Sequence, residues 1–380
     1  MSTKTDITLL RKVEQKIGVN TALSPLGIRK VKQKIDAVCT FISNNKNRWF
    51  YICCHDNPDP DAISSAMGML RIVTFLGVEN VEIVYCGEIS HPQNRAMQNV
   101  LTIPIKRWKQ VVTKVPEDAV FIFVDCTHSS RNISIPHEPN MVIDHHKINV
   151  TKGLLLVHDE TGSCATLVTD LMLSIVQGEN TEEICFDPSL EGMKEIATAL
   201  AIGIKTDTLD FRSETTTDFD FQAYKILTRF MSDDKFMKIV NYELPPYMFE
   251  CEEIAWHNKN LNAPNFITGL KFVETSQSDC IPYLADKYMR LQGIQTVVVY
   301  GVIGNMIRAS VRTNSASLDC GELCNDIFGE GNGGAKQGIG GANVCLSIFN
   351  PDDMTDEMKE KFWDITATTI ERKFEKATRK

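Results

Sequence analysis

A chain of 380 residues is long for one hydrophobic core, so its length predicts two domains. A formal net charge of −9 works against the broad basic face that grips long nucleic acid through counterion release; it disfavours a processive nuclease and leaves a small phosphorylated ligand compatible. No stretch is apolar for long enough to span a bilayer, and the start Met1-Ser2-Thr3-Lys4-Thr5-Asp6 lacks the apolar run of a secretory signal. The twelve cysteines form no Cys-x-x-Cys pair with a matching partner pair, which argues for reduced thiols and a cytoplasmic location.

In chain order, Ile28, Val31, Ile35, Val38 and Ile42 recur every three or four residues and predict a helical extension over 1–46. Trp49 to Cys54 follows as a strand, in which the adjacent Cys53 and Cys54 would face opposite sides. Ala62 to Leu76 has a helical pattern ending at Gly77, a favoured helix stop. Val81 to Tyr85, Ala119 to Val124 and Met141 to Ile143 are further strands, and Ala165 to Val176 and Met193 to Ile204 further helices. That alternation predicts an α/β domain with a parallel sheet and helices on both faces.

Four acidic or histidine clusters each follow a strand-like segment. They are His55-Asp56-Asn57-Pro58-Asp59-Pro60-Asp61, then Asp125, then Asp144-His145-His146, then Asp207. One Asp after a strand is commonly a turn residue. Four in succession point instead to one crevice, because the carboxyl ends of parallel strands converge. Asp59 and Asp61, one residue apart, would point the same way in an extended loop stiffened by Pro58 and Pro60. Imidazole and carboxylate without thiolate suit Mn²⁺, or Mg²⁺, Co²⁺ and Fe²⁺, better than a structural zinc. A pair of such metals about 3.5–4 Å apart can generate hydroxide and clamp a phosphoryl oxygen.

Beyond Ser232 the periodicity breaks at Glu243-Leu244-Pro245-Pro246 and Asn262-Ala263-Pro264-Asn265, which predicts a linker over 236–265. Strand candidates Phe266 to Glu274, Thr296 to Val302, Met306 to Arg312 and Val344 to Phe349 follow, with a helix near Ile281 to Leu291. Glu357 to Lys376 is charged and helical, the pattern of a solvated amphipathic tail helix. The run from Gly329 to Gly341 is dense enough in glycine for backbone N–H groups to approach an anion, although a flexible loop reads the same way. It lacks the Gly-Lys-Ser/Thr ending of a P-loop.

The order and wording of the four clusters resemble the DHH phosphoesterase family, whose members carry His-x-x-x-Asp-x-Asp, an isolated Asp, Asp-His-His and a last Asp. The resemblance covers roughly residues 45 to 350. It implies a parallel-sheet DHH domain over 47–235, the linker, and a smaller α/β C-terminal domain over 266–350, followed by a C-terminal helix over 351–380. Carried over by position, it implies one metal held by His55, Asp59 and Asp125. A second would be held by Asp61, Asp125, His145 and Asp207, with Asp125 bridging. His146 and Asp144 would serve the substrate phosphate and orient the neighbouring imidazole.

In the second domain the resemblance points to the family's Gly-Gly-Gly-His loop, which reads Gly333-Gly334-Ala335 here, without the histidine and with Lys336 beside it. Ser310-Val311-Arg312 resembles the strand that places an arginine in that pocket; Arg308 is the weaker candidate, and a surface salt bridge is an equal reading of Arg312. Ser163 in Thr161-Gly162-Ser163-Cys164-Ala165-Thr166 either faces substrate or caps a helix, and His91 lies in a loop near the crevice. The implied activity is a Mn²⁺-dependent phosphoesterase with two metals per chain, Mg²⁺ or Co²⁺ being alternatives. Its partner would be a small phosphorylated nucleotide or short oligonucleotide, with no membrane; a homodimer is compatible. The other readings are a pyrophosphatase or polyphosphatase with the same metals, and a non-catalytic nucleotide-binding sensor.

Overall fold

In the first strand, β1 (Phe50–Cys53), Tyr51 and Cys53 pack to one side, and Phe50, Ile52 and the following Cys54 to the other. Both sides are buried, so the strand reads as an unbroken apolar run, as expected of a parallel sheet covered on two faces. The computed structural model describes residues 32–128, 132–147, 154–177, 183–315, 318–336 and 338–378. Of the helical pattern expected over 1–46, Ile28 and Val31 lie outside these residues, while Ile35, Val38 and Ile42 fall on α1 (Lys32–Asn45). Contacts divide the chain into two units, with the boundary between Glu243 and Leu244.

Unit 1 is built on a six-stranded sheet in the order β3-β2-β1-β4-β5-β6, with β2 at Val81–Tyr85, β3 at Ile105–Arg107, β4 at Val120–Val124, β5 at Met141–Asp144 and β6 at Leu155–His158. Every pairing is parallel, and Ile52 lies opposite both Ile83 and Ile122. The order reverses between β1 and β4, the place where an open α/β sheet parts to form a crevice at the strands' carboxyl ends. One face carries the long helices α2 (Pro60–Phe75), α4 (Cys164–Ser174) and α5 (Met193–Asp207). The other is covered by the single-turn 3₁₀ helices Trp108–Gln110 and Val112–Lys114 and by residues around Ile133 and Ile135. A short helix α3 (Pro92–Val100) follows β2, and the antiparallel pair β7 (Val176–Gln177) and β8 (Glu183–Ile184) with α6 (Asp218–Leu227) and α7 (Asp233–Val240) complete the unit.

Unit 2 has a second six-stranded sheet, β13-β14-β12-β11-β10-β9, in which only β10 and β11 pair in parallel. Its strands are β9 (Asn260–Asn262), β10 (Asn265–Val273), β11 (Thr296–Ile303), β12 (Met306–Thr313), β13 (Gly333–Lys336) and β14 (Ile339–Cys345). Helices α8 (Pro246–His257) and α9 (Cys280–Tyr288) pack on one face, and α10 (Cys320–Phe328) and α11 (Asp356–Thr378) on the other.

Three local expectations change. The stretch read as a linker carries α8, which Pro245 and Pro246 open rather than interrupt, since a proline in the first turn lacks only an N–H with no helical partner. The glycine run forms the hairpin β13–β14, disguised by the low strand propensity of glycine. Gly340 is required there, because an added Cβ would sit 2.8 Å from Cys324 Sγ on α10. Finally, α11 is not a solvated tail: Trp363, Ile370 and Phe374 are buried, and the Trp363 ring stacks on Tyr300 at 5.6 Å.

The twelve cysteines are all free; nine are buried, Cys39 and Cys86 are partly exposed, and Cys345 is exposed. Truncating Trp363 to Ala should therefore destabilise unit 2 by roughly 3–5 kcal/mol, the usual cost of emptying a buried aromatic site. Urea unfolding followed by circular dichroism checks this; a loss below 1 kcal/mol would mean that α11 is not docked as described.

Candidate metal centre

The first cluster is split between the end of β1 and the start of α2. His55 leaves the strand, and Asp59 is the N-cap of α2, its Oδ1 accepting the Ala62 N–H at 3.0 Å. Asp61 is in the first helical turn, not in the extended loop expected from the prolines, because Pro60 occupies a favoured opening position of the helix. It is wholly buried, and its two oxygens accept the first amides of α4, from Cys164 at 2.7 Å and Ala165 at 2.8 Å. A helix N-terminus therefore meets this carboxylate with positive potential. The close approach of α5 requires Gly203, where a Cβ would lie 2.2 Å from Ser64 Oγ and 3.2 Å from Asp61 Cα.

Asp125 follows β4 with φ +57°, a left-handed conformation that costs a non-glycine residue energy and recurs at functional sites. Its N–H donates to the Ile143 carbonyl at 2.9 Å, which holds the turn against β5. Asp144 ends β5 and accepts the backbone N–H of His146 at 3.1 Å, and its carboxylate lies 2.8 Å from His146 Nδ1. His145 Nδ1 lies 2.9 Å from the Thr161 carbonyl. A carbonyl only accepts, so Nδ1 carries a proton and Nε2 is the nitrogen turned to the cluster, the orientation that second-sphere bonds set in metal-ligating histidines. Asp207, read from sequence as following a strand, is instead the last residue of α5.

These side chains meet at one place. His55 Nε2 is 3.9 Å from both Asp59 Oδ1 and Asp125 Oδ2. His145 Nε2 is 3.4 Å from Asp125 Oδ1, 3.2 Å from Asp207 Oδ2 and 3.9 Å from Asp61 Oδ2. His146, about one-third exposed, has Nδ1 at 3.6 Å from Asp125 Oδ1. Three sets have donor atoms all within 4.8 Å of one another: His55, Asp59 and Asp125; Asp61, His145 and Asp207; Asp125, Asp144, His145 and His146. Asp125 belongs to two of them.

The electrostatics are those of crowded like charges. Burial, then Asp125 and Asp207, hold the Asp61 carboxyl well above the usual range. Burial, then Asp59 and Asp125, push Asp207 up to about 7. Burial opposes charge on His145, but the close approach and charge of Asp125, then the charges of Asp61 and Asp207, push it up to about 10. Burial likewise opposes charge on Asp59, and His55 overcomes it, taking Asp59 down to about 2. Asp125 Oδ1 and His145 Nε2 are moreover buried with no hydrogen-bond partner. A buried carboxylate oxygen and a buried imidazole nitrogen, both without a hydrogen bond among the described residues and surrounded by further carboxylates, fit a cation, and the donor types fit a hard or borderline divalent metal.

Asp220 was missed in the sequence. Wholly buried at the start of α6, it accepts the N–H groups of Gly162 and Thr217, both at 2.8 Å, and the hydroxyls of Thr217 and Thr166 at 2.7 and 2.5 Å. It fixes the turn whose Thr161 carbonyl holds His145. The Thr217-x-x-Asp220 spacing of a capping box was the available signal. Ser163 is the buried N-cap of α4, accepting from Thr166 N–H at 3.2 Å, and so takes the capping reading. His91 caps α3, with its ring 5.5 Å from that of Tyr242.

In unit 2, Arg312 is engaged: Nε and Nη2 reach the two Asp286 oxygens at 2.5 and 3.2 Å, and Nη1 reaches Ser310 Oγ at 2.8 Å. The salt-bridge reading describes it. Arg308 is different, its Nε being shielded without a partner among the described residues. On β14, Asn343 lies opposite Arg308 and Gly341 opposite Ser310, and Gly334 pairs with Gly341. A Cβ on Gly334 would meet nothing within 4 Å, so packing does not demand glycine there. Gly333 and Lys336 begin and end β13.

Residues 49–204 match the model of the DHH family, N-terminal domain. Over 302 residues the chain is 32% identical to an uncharacterized protein of Methanocaldococcus jannaschii, covering 78% of this chain and 58% of that one. Over 170 residues it is 31% identical to the bifunctional oligoribonuclease and PAP phosphatase NrnA of Thermus thermophilus, covering 44% and 45%. The matches thus span about half the length of these relatives. Among solved structures, an exopolyphosphatase-related protein from Bacteroides fragilis superposes with TM-score 0.62 at 15% identity, over 90% of this chain and 98% of the other, a likeness of fold. No helix of the described residues is long and apolar enough to cross a membrane.

The raised groups fix a pH dependence for metal-stripped protein. Asp207 sits at about 7 against an ordinary 3.8, and His145 at about 10 against 6.5. Each contributes stability that is complete below its ordinary value and is lost as pH rises through its folded value. Asp59, lowered to about 2, acts in the opposite sense and only in acid below about pH 4. Thermal melting in chelator is therefore expected to weaken from pH 5 to pH 8, and added Mn²⁺ to stabilise most at the upper end, where its ligands are deprotonated. A melting temperature that rises over this window in chelator would contradict the arrangement.

Proposed function

The chain carries a DHH family domain, and from that premise we propose that it is a two-metal phosphoesterase hydrolysing small nucleotides, namely short oligoribonucleotides, 3′-phosphorylated adenosine nucleotides or dinucleotides. One observation carries the reading: Asp125 Oδ1 and His145 Nε2, both buried and unpartnered, face each other 3.4 Å apart among four more carboxylates. An arrangement so costly in the bare protein is explained by cations. The substrate class draws support from the relative whose name specifies an oligoribonuclease and PAP phosphatase.

In this reading His55, Asp59 and Asp125 hold one metal, and Asp61, Asp125, His145 and Asp207 the other, Mn²⁺ being favoured by the mixed imidazole and carboxylate set. When bound, the pair would supply an activated water and positive charge for the phosphoryl oxygens. Asp125, held in its left-handed turn, would contribute to both metals. The Thr161 carbonyl keeps the proton of His145 away from the metal side. Asp144, buried against His146 Nδ1, orients that imidazole, whose partial exposure leaves it able to meet a substrate phosphate and hold or pass a proton. Unit 2 would add a nucleotide-binding face in which Arg308, whose Nε has no partner among the described residues and which lies opposite Asn343, rather than the engaged Arg312, supplies the guanidinium donor.

Replacing Asp125 by Ala is expected to remove Mn²⁺ binding and lower hydrolysis beyond the roughly 10- to 100-fold typical of losing an outer-sphere partner. Metal stoichiometry and turnover on a panel of phosphorylated compounds, with Mn²⁺ and with Mg²⁺, check this. A folded variant retaining both would sink the metal assignment, and turnover confined to pyrophosphate would replace the nucleotide reading.

For unit 2, Arg308→Ala should raise KM for a nucleotide about tenfold or more, the scale of a lost charge-assisted hydrogen bond, and leave a small generic phosphodiester unaffected. Arg312→Ala should chiefly lower stability. The reverse pattern in parallel kinetics and melting would return the substrate role to Arg312.

A further inference from the structure

Past Asp207 the backbone does something side chains resist. Leu209, Asp210 and Phe211 have φ of 51°, 59° and 62°, three successive non-glycine residues in the left-handed region. The turn is held from many sides. Leu209 N–H donates to the Thr206 carbonyl at 3.1 Å, and Asp210 N–H to that of Lys205 at 2.9 Å. Arg212 and Ser213 N–H groups both donate to the Thr208 carbonyl at 2.9 Å, and Phe211 N–H to Thr208 Oγ1 at 3.2 Å. The Phe211 ring anchors it against Phe221 and Tyr224, with centroids 4.8 and 5.0 Å away. Strain kept by so many contacts marks a place where the conformation has a use.

What the turn achieves is to fold Asp210 back onto the last turn of α5. There its carboxylate pairs with Lys205, and Arg212 Nη2 lies 3.5 Å away from it. One carboxylate thus serves two cations. Glycine would adopt this backbone freely, but the chain has an acidic side chain at its centre. Lys205, Asp210 and Arg212, with Gln93 and Thr206, line a cavity of about 260 Å³ in unit 1, and Lys205 and Thr206 directly precede Asp207 in α5.

We propose that this cavity is an anion subsite beside the metal cluster and that Asp210 is its resident anion, which a phosphate group must displace from Lys205 and Arg212. An ammonium and a guanidinium offer several donors to one phosphate. With the carboxylate seated, the two cations present one net positive charge instead of two. A terminal phosphate, carrying close to two negative charges, competes well against one carboxylate, whereas a phosphodiester with a single charge does not. The subsite therefore selects nucleotides with a second, terminal phosphate; that selection rests on the phosphoesterase reading, but the anion site itself does not.

The test uses the full chain stripped of metal, titrated with inorganic phosphate by calorimetry. Asp210→Asn should bind phosphate about fivefold more tightly than the parent, the scale of releasing one partly exposed ion pair. Asp210→Gly, which relieves the strained backbone, should do the same and guards against a folding defect in the first variant. Adding Lys205→Met to Asp210→Asn should abolish the gain. Equal affinities in parent and both Asp210 variants, or a gain that survives Lys205→Met, would overturn the proposal. With Mn²⁺ present, Asp210→Asn should narrow the KM advantage of adenosine 3′,5′-bisphosphate over a diester lacking a terminal phosphate, because the diester no longer meets a seated carboxylate; an unchanged advantage would overturn the selection. Absence of any turnover would refute the phosphoesterase reading while leaving the phosphate titration to decide the subsite.

Discussion

Carboxylates buried side by side repel one another, and the fold of unit 1 is organised around meeting that repulsion. The backbone makes the first contribution: the opening amides of α4 grasp both oxygens of Asp61, and Ala62, in the first turn of α2, donates to Asp59. Two helix N-termini are thus aimed at one acidic point. Such aim requires α2, α4 and α5 to pack tightly on the same sheet face, which is why a Cβ at Gly203 would collide. The strand order supplies the rest, since its reversal between β1 and β4 brings His55 and Asp125 to the same opening.

This arrangement separates ligands from the groups that hold them. Asp220 and Thr161 belong to none of the donor sets, yet Asp220 fixes the turn whose Thr161 carbonyl takes the Nδ1 proton of His145, and Asp144 lies against Nδ1 of His146. His145 and His146 are neighbours in sequence with rings 4.2 Å apart, but one is fixed by a carbonyl and the other lies beside a carboxylate. The chemical difference between them comes from these supports rather than from the residues themselves.

Much of unit 1 was legible because strands buried on both faces leave apolar runs, and the chemistry-bearing residues stand where those runs stop. Asp207 misled because an apolar stretch before an acidic residue looks alike at the end of a strand and of a helix. Asp61 misled because two prolines suggest an extended loop, whereas one of them opens a helix. Asp220 was invisible for a different reason: its importance comes from partners some 55 residues away, which no local pattern records. In unit 2 the glycines concealed a hairpin, and the choice between Arg308 and Arg312 depended on Asp286, a residue of α9 without any motif.

The distribution of thiols gives the two units separate internal clocks. Cys251, Cys280, Cys320 and Cys324 are buried in unit 2, and Cys53, Cys54, Cys126, Cys164 and Cys185 in unit 1, while Cys345 alone stands exposed. A thiol-labelling reagent resolved by peptide mass would mark Cys345 at once and every buried site only as its surroundings open. The rate at which Cys164 and Cys54 acquire label, with and without a divalent cation, would then time the loosening of the ground beneath the acidic cluster, independently of any turnover.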